Sequence, residues 1–365
     1  VGDLIGETQA FTVGVAASPV PIAAVTVTLS AADAADTARR DDQSLGPLAG
    51  VPFTIKSNID LAGSPTTFGL SIMKDAVPTL DAPVVGRMQG AGAIPLAGTN
   101  MPDLGLRMQT DSSLYGLTKN PGNAKHPTAG SSGGEAVALA TGMSPIGLGN
   151  DLGGSLRNPA SCVGVTSIKP SFGRVPTAEQ ISVLPNTIMS QESAVTGPMA
   201  RTVDDVKLGL EILSGPHPRG PLAMPIPLEA KAGRKKVAVL ATPPGATPTH
   251  GSLDAGLGRP VRPDGRVEPV LHRLGRCVDT DVDASPLLVE ADATNGTEGA
   301  KFSLDVARPV YPGNVLGLPS AAVPAGTVDG LPVGVLITGP RWSDLTCLEI
   351  AEHVEEAGIA SDPPF

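Results

Sequence analysis

Apolar and polar positions along this chain follow two rhythms in turn, a short one of extended runs and a longer one of helical spacing, and their succession predicts an α/β fold. Residues 51–55 form a compact apolar run after Ala49-Gly50, and turn formers crowd residues 60–67. Asp81-Ala82-Pro83 opens a helix that continues through Gln89, and residues 93–97 read as the next strand. Residues 99–123 have little periodicity and many glycine and polar positions, so a long loop over a site is expected there. An alanine-rich helix at 135–141, a glycine-rich strand at 145–150 and an apolar strand at 163–168 follow. Thr202 is placed to cap a helix at 203–213, in which Val206, Leu210 and Leu213 recur at helical spacing and Asp204 and Asp205 suit the amino end.

The two ends are less regular. Residues 19–36 begin as a proline-interrupted apolar stretch, and Ser30 within it is a possible helix cap. Residues 216–227 and 242–263 are dense in proline and glycine and read as surface connections around a strand at 236–240. Residues 267–274 are expected to be helical, residues 318–325 and 331–338 to form a strand pair, and Ser343 to cap a last amphipathic helix carrying Leu345, Leu348, Ala351 and Val354. No internal repeat is visible.

Composition narrows the function classes. The 365 residues include 44 Gly and 37 Pro, yet 41% are apolar and no glycine-proline period runs through them, so collagen-like and disordered readings both fail. Length permits one or two domains; the unbroken α/β rhythm favours one over 1–365. A net charge of −10 and only 2% aromatic residues leave neither a basic face nor a stacking platform, so no nucleic-acid partner is expected. No apolar run reaches membrane-spanning length, and Val1-Gly2-Asp3 does not begin a secretory leader, so no membrane partner is expected either. Cys162, Cys277 and Cys347 are odd in number and widely spaced, which suggests neither a disulfide framework nor a CxxC metal site and fits a reducing cytoplasm.

Chemistry concentrates in three places. Gly130-Ser131-Ser132-Gly133-Gly134 and Gly153-Gly154-Ser155 are glycine-lined serine loops flanking one helix-and-strand unit. Glycines beside a serine let backbone N–H groups approach a developing oxyanion, and the amides of Leu152, Gly153 and Gly154 can converge on one point. Lys56 ends the run Val51-Pro52-Phe53-Thr54-Ile55, where an ammonium tends to lose its proton and become a base. Each site alone has a plain reading as a turn, a linker or a surface lysine; only the combination points to covalent chemistry on a carbonyl. A Ser-His-Asp hydrolase is disfavoured, because His126, His217, His250, His272 and His353 fall in loops, proline-rich connections or charged segments, and no Gly-x-Ser-x-Gly elbow is present. GxxxxGK[ST], HExxH and clustered Cys/His ligands are missing as well, so no catalytic metal is expected.

These segments resemble the amidase signature family of serine hydrolases. The resemblance rests on residues 50–56, 130–136 and 151–157, and extends through Cys162-Val163-Gly164, Lys169-Pro170, residues 197–202, Gly317-Leu318-Pro319 and residues 330–334. It implies a single many-stranded mixed sheet covered by helices on both faces and a Ser-Ser-Lys triad: Ser155 as nucleophile, Ser131 as bridging serine and Lys56 as base. A cis peptide between Gly130 and Ser131 is implied too, as is an oxyanion hole built from Leu152 and its neighbours. The implied activity is hydrolysis of a linear, non-peptide carboxylic amide to acid plus ammonia or amine without a cofactor. The rival readings are a glutaminase subunit of an amidotransferase and a non-catalytic remnant of the same fold. Gly105, Leu106, Arg107 and Met108 are expected to face the small-molecule substrate, with Arg107 a candidate partner for a substrate carboxylate. Departures are Ala129 where glycine is usual and Asn150 where threonine is common. The chain also looks shorter than the family at its amino end and between about 288 and 308. Oligomeric state is left open.

Overall fold

The computed structural model describes residues 22–41, 45–183, 188–230, 236–240, 267–274, 309–328 and 331–357. Its centre is a mixed sheet of nine strands in the order β2-β1-β5-β7-β6-β10-β11-β9-β8. The strands are β1 (Pro52–Lys56), β2 (Ile94–Thr99), β5 (Ile146–Asp151), β6 (Thr166–Lys169), β7 (Val195–Ala200), β8 (Lys236–Leu240), β9 (Val267–Leu274), β10 (Ser320–Val328) and β11 (Leu331–Thr338); β3 (Asp111–Ser112) and β4 (Gly116–Leu117) form a separate two-stranded ribbon. Strands β2, β1 and β5 are parallel, pairing is antiparallel from β5 through to β9, and β8 returns parallel to β9.

Helices cover both faces, as the resemblance implied. On one side α2 (Pro83–Gly90), α6 (Val203–Leu213) and α8 (Asp344–Glu356) close over a core that includes Phe53, Ile55, Ile146, Leu148, Val206, Leu210 and Leu348. On the other, α3 (Gly133–Ala140) and α4 (Arg157–Val163) pack on a second cluster with Val137, Leu139, Leu156, Ala160 and Met199. The other α-helices among the described residues are α1 (Ile22–Arg40), which leans on β2, and the short α5 (Ile188–Ser193) and α7 (Tyr311–Val315), which touch each other. Strand alternation does the sorting: Phe53 and Ile55 enter the first core, so Thr54 and Lys56 face the α3–α4 layer.

Several elements differ instructively from expectation. Residues 267–274 are strand β9, because eight residues containing Pro269 are too few to declare a helix and β11 offers them a pairing edge. Strand β7 was not foreseen: Gly197 and Pro198 argue against a central strand, yet it runs between β5 and β6 with Pro198 opposite Leu148. Helix α1 begins well before Ser30. Thr202 does cap α6, accepting from the Asp205 N–H at 3.2 Å, whereas the Ser343 hydroxyl donates to the Pro340 carbonyl at 2.6 Å instead of capping α8. Cys347 is a buried free thiol, but Cys162 is disulfide-bonded, which the number and spacing of cysteines did not suggest. No helix among the described residues is long and apolar enough to cross a membrane. The proline-rich stretch at 242–263, with His250, and the shortenings expected at the amino end and at 288–308 lie outside the described residues.

Candidate active site

Parallel strands β1 and β5 lie side by side, with Phe53 opposite Ile146 and Ile55 opposite Leu148, so their carboxyl ends finish together. Lys56 ends the first; Asn150 and Asp151 end the second. This edge of a parallel sheet is where backbone leaves the ladder and side chains can converge on a ligand.

Lys56 is completely buried, and its Nζ lies 2.6 Å from Ser131 Oγ and donates to Asn150 Oδ1, also at 2.6 Å. Burial lowers its pKa from 10.5 to about 7, against the opposing pull of the Asp151 and Glu135 carboxylates. An amine in that range is available as a base near neutrality. Glu135, on α3, is pushed up to about 7 by the same desolvation, although the Thr54 and Thr99 hydroxyls both donate to it and Lys56 favours its charged form.

Ser131 is buried, and the bond before it, Gly130–Ser131, is cis. The glycines of this loop are there for closeness. A Cβ on Gly133 would fall 2.4 Å from both the Thr110 and Thr128 hydroxyl oxygens, and one on Gly134 the same distance from the Asn100 carbonyl. Thr110 also donates to the Ala129 carbonyl at 2.9 Å and accepts from the Gly133 N–H at 3.1 Å. Ala129 takes φ +58°, a left-handed conformation that explains why glycine would be the easier residue there.

Ser155 is half-buried in the loop between β5 and α4, and its carbonyl accepts from the Ser132 N–H at 3.2 Å, tying the two serine loops together. Gly154, at φ +110°, reverses the chain just before it. Beneath the loop, Asp151 accepts from Arg157 through two bonds, at 2.9 and 2.7 Å, and from the Gly154 and Leu156 N–H groups at 2.8 and 3.0 Å. Burial works against ionisation of Asp151, but the Arg157 guanidinium and these donors outweigh it and hold the carboxyl well below the usual range. The Gly154 N–H, expected in the oxyanion hole, donates to Asp151, so a carboxylate inside the turn competes for that amide. Leu152 is partly exposed, and a Cβ on Gly153 would meet the Tyr311 ring at 2.6 Å, so Tyr311 lies against this loop.

Of the expected substrate contacts, Gly105 lies beside the bridging serine: a Cβ there would stand 3.3 Å from Ser131 Oγ. Leu106 is 70% exposed, Arg107 is ion-paired with Asp111 at 3.3 Å, and Met108 packs against the α3–α4 core. Pairing with Asp111 lessens the claim of Arg107 on a substrate carboxylate. His217 accepts from the Arg219 N–H and His353 sits beside Glu356, each engaged locally. Among the described residues no group of three His, Cys, Asp or Glu side chains could hold a metal ion.

Sequence reasoning passed over Asn150, Glu135, Asn314 and Tyr311 as residues of the site. Alternation along β1 gave a signal for Glu135, since Thr54 and Lys56 must share a face with something polar. Nothing in the sequence tied Asn314 or Tyr311, more than 150 residues away, to the Ser155 loop.

Comparison with known proteins gives the chain a family. A model of the Amidase family matches residues 21–253 and 280–348. An indoleacetamide hydrolase of Bradyrhizobium diazoefficiens is 44% identical over 200 residues, 55% of this chain and 38% of that protein. A glutamyl-tRNA(Gln) amidotransferase subunit from Rhodopirellula baltica is 39% identical over 191 residues, 52% of this chain and 37% of that one. The aligned stretches thus span less than two fifths of either relative. A bacterial aryl acylamidase of the amidase signature family shares the fold with a TM-score of 0.76 at 24% identity, over 94% of this chain and 89% of that one. With the family model covering most of its length and the fold shared as well, this chain belongs to the amidase family.

Proposed function

We propose that this protein hydrolyses a linear, non-peptide carboxylic amide to the acid and ammonia or an amine, with Ser155 as nucleophile, Ser131 as proton relay and Lys56 as base. The observation that carries the reading is a lysine amine held out of water, with its pKa near 7, 2.6 Å from the Ser131 hydroxyl. Ser155 Oγ attacks the amide carbonyl carbon while its proton passes to Ser131 Oγ, and the Ser131 proton passes to the Lys56 lone pair. The carbonyl π electrons move onto oxygen, where the amides of Leu152, Gly153 and Ser155 stabilise the oxyanion. Collapse breaks the C–N bond, and the departing nitrogen takes a proton back along the same relay. Water then adds to the acyl-enzyme by the same route and releases the acid. Gly105, Leu106 and Met108 stand on the acyl side of the site in this reading.

Labelling with a fluorophosphonate probe tests the nucleophile: mass spectrometry is expected to find one adduct, on Ser155. An adduct that persists elsewhere in Ser155→Ala overturns the assignment. Turnover on a panel of aliphatic and aryl amides is expected to fall by about 10⁴-fold or more in Ser155→Ala. A second reading, release of ammonia from glutamine for a partner protein, is favoured by the likeness to the amidotransferase component; glutamine hydrolysis that rises on adding such a partner would select it. Labelling at Ser155 without turnover of any amide would select the non-catalytic remnant.

A further inference from the structure

We infer that Asn150 is a positioning residue for the Lys56 amine, fixing which way the lysine lone pair points; this rests on Lys56 being the base. The side chains Asn58, Asn150, Lys56 and Ser131 form one hydrogen-bonded chain. Asn150 Nδ2 donates to Asn58 Oδ1 at 2.8 Å, Asn150 Oδ1 accepts from Lys56 Nζ at 2.6 Å, and Nζ meets Ser131 Oγ at 2.6 Å. Asn58 follows Lys56 by two residues, so the amide is gripped from both sides by one short segment at the end of β1.

The chemistry of a carboxamide suits this place. A neutral amine has two N–H donors and a single lone pair, and it can take the Ser131 proton only through that lone pair. An amide oxygen accepts an N–H and offers no proton, so Asn150 Oδ1 occupies one donor and turns the lone pair toward Ser131. The bond from Nδ2 to Asn58 decides which end of the amide faces the lysine; without it the donor end could face Nζ and compete for the lone pair. Asn150 also brings no charge. The charged or titratable groups around Lys56 are Glu135, on α3, and Asp151, on β5 and already paired with Arg157. A third carboxylate in contact with Nζ would hold the ammonium and stop it accepting a proton. Asn150, which looks in the sequence like a tolerated departure from threonine, thus orients the base without charging it.

The rate of Ser155 labelling by a fluorophosphonate probe, followed against pH, tests this without a known substrate. In the wild-type protein labelling is expected to rise with pH and level off above about 7, the value to which burial brings Lys56. In Asn150→Asp the rise is expected to move up by more than about one pH unit, with the plateau largely regained at high pH. In Asn150→Ala the plateau is expected to fall about tenfold or more while the rise stays near its wild-type position. Asn58→Ala should lower the plateau in the same way and by less. A folded Asn150→Asp protein with unchanged pH dependence overturns the inference. Should the aspartate variant not fold, plateaus within about twofold of wild type in both alanine variants overturn it equally. Failure of the wild-type protein to label at Ser155 refutes the nucleophile instead, so the two readings fail separately.

Discussion

Around Lys56 the deciding quantity is charge in a place without water. Desolvation brings the lysine and Glu135 to about the same value, near 7, and each favours the charged form of the other, so they titrate as a pair. As the base of the proposed mechanism Lys56 must be uncharged to act, hence acylation is expected to rise with pH through the range near 7 and to fade below it. Replacing Glu135 by glutamine removes a negative neighbour and makes the ammonium easier to deprotonate. In Glu135→Gln the acid limb of the pH–rate profile should therefore move down by about one unit or less. An upward shift would mean that Glu135 does not act on Lys56 through its charge. Residue types and glycine context marked Lys56, Ser131 and Ser155 as candidates, and the family resemblance supplied their proposed roles. Asn150 was not, because its importance lies in two contacts that no spacing rule encodes.

At the level of elements, the short helix α3 is set on β1 and β5 through an unusually close approach. A Cβ on Gly147, in β5, would fall 1.7 Å from Glu135 Oε1 and 2.8 Å from the Thr54 hydroxyl oxygen. Gly147→Ala forces that carboxyl away from Thr54, and overpacking of this kind costs about 1–3 kcal/mol. Chemical denaturation should register the loss, and activity should fall with it because Thr54, which donates to Glu135, shares a face of β1 with Lys56. Helix α6 supplies a contrast far from the chemistry. Thr202→Ala removes its cap on the Asp205 N–H and should cost about 1 kcal/mol while leaving the pH profile unchanged. Sequence periodicity found α6 because it is amphipathic over eleven residues. It missed β7 and misread β9, since what makes those segments strands is a neighbour's unpaired edge.

Across the molecule, the Ser155 loop is braced by a segment more than 150 residues further along the chain. Asn314 donates to the Asp151 main-chain and side-chain oxygens at 3.1 and 3.0 Å and to the Ser193 carbonyl at 3.2 Å, while Arg157 donates to the Val310 carbonyl at 2.9 Å and to Asn314. The Asp151–Arg157 pair is wholly buried, so it depends on every partner that replaces water. Asn314→Ala is expected to destabilise the fold by about 1–3 kcal/mol and to lower kcat by loosening the turn that carries Ser155, both measurable by denaturation and steady-state assay. Wild-type stability in that variant would show that the brace carries no load. By itself the sequence determined the α/β class and the glycine-lined loops, because those depend on local backbone freedom and hydrophobic period, and its likeness to a family nominated the three residues of the proposed triad. Tertiary structure decided how completely Lys56 is buried, the bond from the Gly154 N–H to Asp151, the contacts of Asn150 and the remote brace. Each of these is a matter of which groups meet once water has been excluded, and the order of residues along a chain carries no record of that.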